Sequence, residues 1–179
     1  MINELSVHPK AQNKSAHIVC GAFMASFIAA LVIYLSIDRF KGIIGLCAIV
    51  LLTVGIMIYT RYISAKYYYD ITYDVNSCAV LVVRQLTGKR QSTLCCIALS
   101  SIVSVVRETK DERRAHKTPM GTRKYNYTPT LMPDLTYRIT SNTRLEKCEL
   151  VLEISDEYAK MLIDNVGEAK AIAALNEDD

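Results

Sequence analysis

Residue types that commonly carry out catalysis are present in this 179-residue chain, but their spacing predicts no catalytic site. His8, His17 and His116 lie far apart, and none has a metal-ligand spacing with another histidine or a carboxylate. The segment "TGKRQS" (87–92) resembles a phosphate-binding loop only in part, because valine and arginine stand where that loop needs glycine and Ser or Thr. We therefore expect no catalytic residues, no metal site and no cofactor, and we predict that the protein is not an enzyme.

The six cysteines lead to a similar expectation. They form no CxxC pair and no disulfide-framework spacing, which favours a reducing compartment. The adjacent Cys95 and Cys96 suggest a redox or metal pair, but neighbours on a strand point to opposite faces. We interpret them as buried small apolar residues.

Positive charge is concentrated in a segment rich in charge and proline, which predicts a surface that contacts lipid headgroups. Each base near an anionic membrane contributes about 1 kcal/mol, so several together can hold a loop there. Asp111 and Glu112 weaken this interpretation, and a loop that is simply solvated is the alternative. No stacking-aromatic motif accompanies the bases, so nucleic acid is not an expected partner. The candidate lipid contacts are Lys110, Arg113, Arg114, Lys117, Arg123 and Lys124.

The next segment, "YNYTPTLMPDL" (125–135), is a candidate surface for a protein partner. Tyrosine and methionine suit protein interfaces, and prolines lower the cost of ordering a loop. The alternative is that Tyr125, Tyr127 and Leu131 fold back over the core. The candidate partner contacts are Tyr125, Tyr127, Leu131 and Met132.

Two long apolar runs precede these surfaces. Residues 18–37 contain no charge, and residues 43–60 form a second run. A helix of about 20 residues spans about 30 Å, the thickness of a hydrocarbon core. Neither run has a polar stripe, although a buried helix of a soluble protein is the alternative. Because so few residues separate the runs, they predict an antiparallel transmembrane hairpin.

Charge and small residues refine this hairpin. Four bases lie at its outer ends and two at its tip, so the positive-inside rule predicts cytoplasmic termini and a multi-pass protein of the plasma or inner membrane. The bases are Lys10, Lys14, Arg61 and Lys66 at the outer ends, and Arg39 and Lys41 at the tip. A smooth face of Gly21, Ala25 and Ala29 predicts close helix packing, either between the two spans or with a second copy or another membrane protein.

After the hairpin, the apolar pattern changes to that of strands and one helix, so the fold class is α+β. A helix begins at Ser155 or Asp156 and its packed part ends near Gly167. Residues 110–134 are expected to be a long excursion outside the core. The predicted strands are 67–73, 79–86, 91–99, 101–109, 135–141 and 147–155. The predicted units are a tail (1–17), the hairpin (18–60), a cytoplasmic domain (61–166) and an acidic extension (167–179).

This order of elements resembles bacterial pleckstrin-homology-like (PH-like) domains that are attached to paired membrane spans. The likeness rests on "YYYDITY" directly after the second span, "IALSSIVSVV" (97–106) and "ISDEYAKMLIDNV" (154–166). It implies an antiparallel sheet curved into a partly open barrel, a C-terminal helix that caps it, and a binding or scaffolding role. Eukaryotic relatives that bind phosphoinositides have bases around the first hairpin turn, whereas this chain has "DVNS" there.

These observations favour a membrane-anchored, non-enzymatic PH-like module that binds a protein partner, the anionic membrane surface, or both. The alternative is an accessory or regulatory subunit of a transporter or membrane enzyme complex, acting through the hairpin. A membrane-bound enzyme, whose site forms only in the folded chain, is a third hypothesis.

Overall fold

Two long helices begin the computed structural model, which describes residues 5–9, 13–37, 40–74, 78–143 and 146–177. Helix α1 is Lys14–Ser36. Helix α2 is Lys41–Ile58 and continues as a π-helical turn over Tyr59–Ser64. Both are long and apolar enough to cross a bilayer, and little of either is covered by the rest of the chain. The prediction of two apolar helices before a β domain is confirmed. Lys10 and Arg39, two of the bases from which the topology was predicted, lie outside the described residues.

The helices pack as an antiparallel pair through the small residues of α2. The Cys20 thiol donates to the Gly55 carbonyl at 3.7 Å, and a Cβ atom at Gly55 would lie 3.3 Å from the Met24 sulfur. Nearer the tip, Gly45 lies beside the ring of Tyr34. Ala48 and Gly55 are buried seven residues apart, the spacing of a coiled-coil seam.

This arrangement corrects the expectation that Gly21, Ala25 and Ala29 join the two spans. All three are exposed on α1, and a Cβ atom at Gly21 would meet nothing within 4 Å. Close approach needs small residues on only one helix, and here α2 supplies them. Binding of a second copy or another membrane protein by this face stays a prediction.

The first of two sheets is antiparallel and includes the chain's beginning. Its order is β1-β2-β3-β4, with β1 Leu5–Val7, β2 Ala65–Tyr73, β3 Ala79–Thr87 and β4 Arg90–Ala98. Strand β1 pairs Leu5 with Ile71 and Val7 with Tyr69. The sequence analysis predicted only a tail over residues 1–17, whereas Leu5–Val7 forms an edge strand.

The second sheet is mixed, with the order β5-β7-β8-β6. Its strands are β5 Ile102–Thr109, β6 Thr122–Asn126, β7 Leu135–Asn142 and β8 Lys147–Leu152. Strand β6 is parallel to β8, and the short helix α3, Lys110–Ala115, lies between β5 and β6. The expectation that 110–134 lies wholly outside the core is thus wrong, since this segment contributes a strand and the buried Thr128 and Thr130.

One core lies between the inner faces of the two sheets and helix α4, Asp156–Glu177. Ser155 caps α4 as predicted, because its hydroxyl accepts from the Tyr158 amide at 3.2 Å. The helix continues for ten residues beyond Gly167 to Glu177, and Ala169 is the last of its described residues that is buried. Tyr158, Leu162 and Val166 are buried, whereas Met161 and Ile163 are exposed by 39% and 49%.

The strand register defines two ends of this domain. We call the end at Ala65 the helix-proximal end, because Ala65 directly follows the π-helical turn of α2. Ala65 pairs with Thr87, so the β3–β4 turn, with Gly88 at φ 61°, lies at the same end. The β2–β3 connection, where the Asp74 amide donates to the Cys78 carbonyl at 2.8 Å, lies at the opposite end. Its residues 75–77, like 144–145 in the predicted β7–β8 turn, lie outside the described residues.

Candidate functional site

Five exposed bases lie at the helix-proximal end of the domain. The pairing of Ala65 with Thr87, and of Thr87 with Arg90, places the β3–β4 turn beside the end of α2. One guanidinium nitrogen of Arg61 donates to the Asn126 carbonyl at 2.7 Å, which brings the end of β6 to the same place. We call this set the basic edge: Arg61, Lys66, Lys89, Arg90 and Lys124.

A cleft opens between the two sheets at this end. Strands β4 and β6 are edge strands of their sheets, and Leu94, Tyr125 and Tyr127 line two cavities between them. The first cavity, about 520 Å³, is at the helix-proximal end and is also lined by Thr60, Arg61, Gln85, Thr87 and Lys124. The second, about 510 Å³, is also lined by Cys95, Ile97, Thr143, Glu146 and Cys148.

Leu94 enters the cleft because β4 has a bulge. Val83 pairs with Cys95 and Arg84 with Thr93, so Leu94 has no partner on β3. An extra residue in one strand redirects its side chain and interrupts the ladder. The Leu94 carbonyl accepts a long hydrogen bond, 3.5 Å, from the Tyr127 hydroxyl across the cleft.

The two tyrosines predicted to contact a partner form one wall. Their rings are parallel within 3° and their centroids are 6.1 Å apart. The Tyr127 carbonyl accepts from the Tyr69 hydroxyl at 2.8 Å, and the Tyr125 hydroxyl donates to Glu146 at 3.4 Å. Burial raises the pKa of Tyr127 to about 12, so its hydroxyl stays a donor at neutral pH. Both rings are half-buried against the core and half-open to the cleft.

The other two candidate partner contacts lie outside the cleft. Leu131 is half-buried and Met132 is 54% exposed, and both belong to the β6–β7 loop. This loop is held by Thr130, whose hydroxyl donates to Glu153 at 2.9 Å. The structure therefore does not bring the four predicted partner contacts to one surface of the cleft.

The six candidate lipid contacts are also divided. Arg113 donates to the Pro133 carbonyl at 2.9 Å and to the Thr136 hydroxyl at 3.2 Å, so it anchors α3. Arg123 forms an ion pair with Glu146 at 3.3 Å. Of the six, Lys124 alone lines the cleft, whereas Lys110 is half-buried and Arg114 and Lys117 are exposed along α3 and the loop after it.

A buried polar layer, which the sequence analysis missed, attaches this segment to the outer face of the second sheet. His116 Nε2 lies 3.1 Å from Glu149 Oε1, and the Thr118 hydroxyl donates to the same carboxylate at 3.2 Å. Beside them, Arg138 pairs with Glu108 at 3.0 Å. Helix α3 itself begins with a capping box formed by Thr109 and Glu112. The pattern T-x-x-E at residues 109–112 is the feature of the sequence from which this helix could have been predicted.

The thiols in the cleft are not activated. Burial raises the pKa of Cys95 to about 11 and also raises the pKa of Cys148. Both thiols stay protonated at neutral pH, and a protonated thiol is a poor nucleophile and metal ligand. Cys96, predicted to be buried, is exposed.

No protein-family model matches this chain, and comparison with the curated proteins gives no match either. The observations that bear on function are therefore the two apolar helices, the basic edge and the cleft. They share one end of the β domain, since Thr60 and Arg61 at the end of α2 line the first cavity.

Proposed function

We propose that this chain is a membrane-anchored, non-enzymatic PH-like module. Helices α1 and α2 cross the plasma or inner membrane as a hairpin with both ends on the cytoplasmic side. The β domain rests with its basic edge against the anionic headgroups of the same leaflet. A membrane tether of this kind would present the rest of the domain to a protein partner.

The exposed apolar surface of the helices supports the membrane anchor. Ile28, Leu35, Ile43 and Leu46 are 60%, 72%, 65% and 64% exposed, although such side chains are normally buried in a soluble protein. Tyr59 is exposed at the end of α2, followed by Arg61. Aromatic and basic residues at this position are typical of a membrane–water interface.

The single observation that carries the proposal is the register that brings Lys89 and Arg90 to the end of the second apolar helix. Each base contributes about 1 kcal/mol near an anionic surface. The five bases of the basic edge can therefore offset the entropy that the domain loses when it is held against the membrane. Attraction at this range survives screening, because the Debye length is about 8 Å at physiological salt.

One feature supports the finer, PH-like description. A C-terminal helix packs on a β-sheet core, as the resemblance implies, although the resemblance implies one antiparallel sheet and this domain has two sheets, of which the second is mixed. The bases lie at the β3–β4 turn, whereas the β2–β3 connection, the counterpart of the phosphoinositide-binding turn of eukaryotic relatives, is at the far end. The proposal therefore concerns charge attraction to the leaflet and not phosphoinositide binding at that turn.

Hydrogen–deuterium exchange of the full chain in nanodiscs tests the proposal. We expect the β3–β4 turn (87–91) to exchange more slowly in nanodiscs with anionic lipid than in nanodiscs with phosphatidylcholine alone. The variant Lys89→Glu/Arg90→Glu should lose this difference. The matched control, Lys160→Glu/Lys170→Glu, makes the same change of charge on the exposed side of α4 and should keep it.

Equal exchange of the turn in both kinds of nanodisc would contradict the proposal. So would loss of the difference in the α4 control, since that result would attribute the effect to net charge and not to the basic edge. Circular dichroism of each variant verifies that the domain is folded.

A second candidate, an accessory subunit of a membrane complex, is favoured by the exposed face of Gly21, Ala25 and Ala29. Replacing all three by Leu should abolish cross-linking to a second copy or a co-purified membrane protein, because small residues permit close helix approach. The control Leu31→Ile/Leu35→Ile changes two exposed residues that lie about 100° around α1 from the centre of this face. Unchanged cross-linking in the triple variant would reject this candidate.

A further inference from the structure

We infer that the helix-proximal cavity binds a phospholipid headgroup made of one phosphate and a short polyol, as in phosphatidylglycerol. This inference rests on the proposed function, because the cavity must face the leaflet in which the lipid lies. It goes further by predicting selectivity among lipids of equal charge. The basic edge alone predicts no such selectivity, because it responds only to charge.

Two cations at the mouth of the cavity suit a phosphate. Arg61 presents five N–H donors, of which one binds the Asn126 carbonyl at 2.7 Å. Lys124 lies two residues before Asn126 on the same edge strand, a separation of about 7 Å. Both side chains are exposed and line the cavity, so they can bind one phosphate from two sides.

Neutral polar groups beside the cations suit a polyol. Thr60, Thr87 and Gln85 line the same cavity. The Thr60 hydroxyl donates to the Ile56 carbonyl at 2.9 Å, which leaves its oxygen to accept from a ligand hydroxyl. An amide and a second hydroxyl add both donors and acceptors. No carboxylate lines this cavity among the described residues, so the ammonium of an amino headgroup finds no opposite charge there.

The shape of the cleft argues against an extended peptide as the occupant. Adding a strand to β4 needs a continuous row of free backbone groups, and the bulge at Leu94 interrupts that row. The Leu94 carbonyl also already accepts a hydrogen bond from the Tyr127 hydroxyl, so it is not free to pair with a peptide. A cavity of about 520 Å³ with a mixed polar and aromatic lining is the size of a small-ligand site.

The test compares nanodiscs that hold equal fractions of phosphatidylglycerol or phosphatidylserine. Both lipids carry one net negative charge, but phosphatidylserine has a carboxylate and an ammonium in place of the polyol. We expect β6 (122–126) to exchange more slowly with phosphatidylglycerol. Native mass spectrometry should detect this lipid on the released protein in preference to phosphatidylserine.

Variants then assign the effect to the cavity. Lys124→Gln should lower the retained phosphatidylglycerol about fivefold, the loss expected for one base at an anionic surface. Lys124→Arg should restore it. The matched control Lys117→Gln removes an exposed base of the same segment that does not line the cavity, and should have no effect.

The outcomes separate this inference from the proposed function. If both lipids slow exchange of the β3–β4 turn but β6 does not distinguish them, the inference is overturned and the proposed function stands. An equal loss in Lys124→Gln and Lys117→Gln would also overturn it. If neither lipid slows the turn, the proposed function is itself overturned, and the inference with it.

Discussion

At the scale of single residues, burial determines the reactivity of the cleft thiols. The pKa of Cys95, raised to about 11 by burial, leaves very little thiolate at neutral pH. We expect Cys95 to react with iodoacetamide at neutral pH about a hundredfold more slowly than a thiol of ordinary pKa. The rate of Cys95 should rise about tenfold per pH unit up to about pH 10. Peptide mass spectrometry of the alkylated full chain measures this rate.

The slope with pH distinguishes this mechanism from simple shielding. A thiol that is shielded but has an ordinary pKa would stop gaining reactivity near about pH 9. A plateau of that kind for Cys95 would contradict the prediction. Cys78 serves as the internal reference, since it is exposed at the other end of the domain.

Another residue-scale effect concerns the ion pair of Arg138 and Glu108. Their side chains are only 16% and 4% exposed, so each charge depends on the other. Arg138→Met should lower the free energy of unfolding by about 3–5 kcal/mol, because it leaves a buried carboxylate without its partner. Glu108→Leu/Arg138→Met should recover much of this loss. Denaturant unfolding followed by circular dichroism measures both, and an equal loss in the double variant would contradict the pairing.

At the scale of elements, the two helices should differ in their tolerance of larger residues. Gly55→Leu should destabilise the hairpin by about 1–3 kcal/mol, because the new side chain meets Phe23 and Met24 of α1. Gly21→Leu should not lower the stability of the monomer, since that position faces open space. Thermal unfolding of each variant in detergent tests this difference. A greater loss from Gly21→Leu would contradict the packing of the pair.

Local patterns were enough to predict the longer elements. Segments rich in β-branched, aromatic and leucine residues, with turn residues beside them, predicted the strand at 79–86, observed as Ala79–Thr87, and the strand at 135–141, observed as Leu135–Asn142. Strand β3 is buried on both faces over residues 79–83, so its signal was a continuous apolar run between turn residues. Ser155 likewise predicted the start of α4, because a helix cap is a local interaction.

The elements that the sequence analysis missed depend on distant partners. Strand β1 has only three residues and exists as the edge partner of Ile71 and its neighbours in β2. Strand β6 carries three charged or amide side chains and pairs in parallel with β8. Such pairings leave no periodic trace in the paired segment. For the same reason the cleft was not predictable: Arg61 and Asn126 are 65 residues apart in sequence.

At the scale of the whole molecule, the fold separates positive from negative charge. Residues 61–147 contain eight more bases than acids, and residues 148–179 contain seven more acids than bases. The basic edge adjoins the end of α2, whereas α4 packs against the short turn Leu99–Ser101, which follows the far end of β4. A charge distribution of this kind orients the domain in an electric field even when its net charge is small.

Ionic strength tests whether this orientation holds the domain on the membrane. The screening length falls from about 10 Å at 0.1 M salt to about 3 Å at 1 M, shorter than the reach of a lysine from the surface. Exchange of the β3–β4 turn in anionic nanodiscs should therefore rise with salt towards its value in neutral nanodiscs. Exchange of the core strand β8, whose Leu150 and Leu152 are fully buried, should not change. Protection of the turn that persists at high salt would mean that apolar contacts, and not the basic edge, hold the domain against the bilayer.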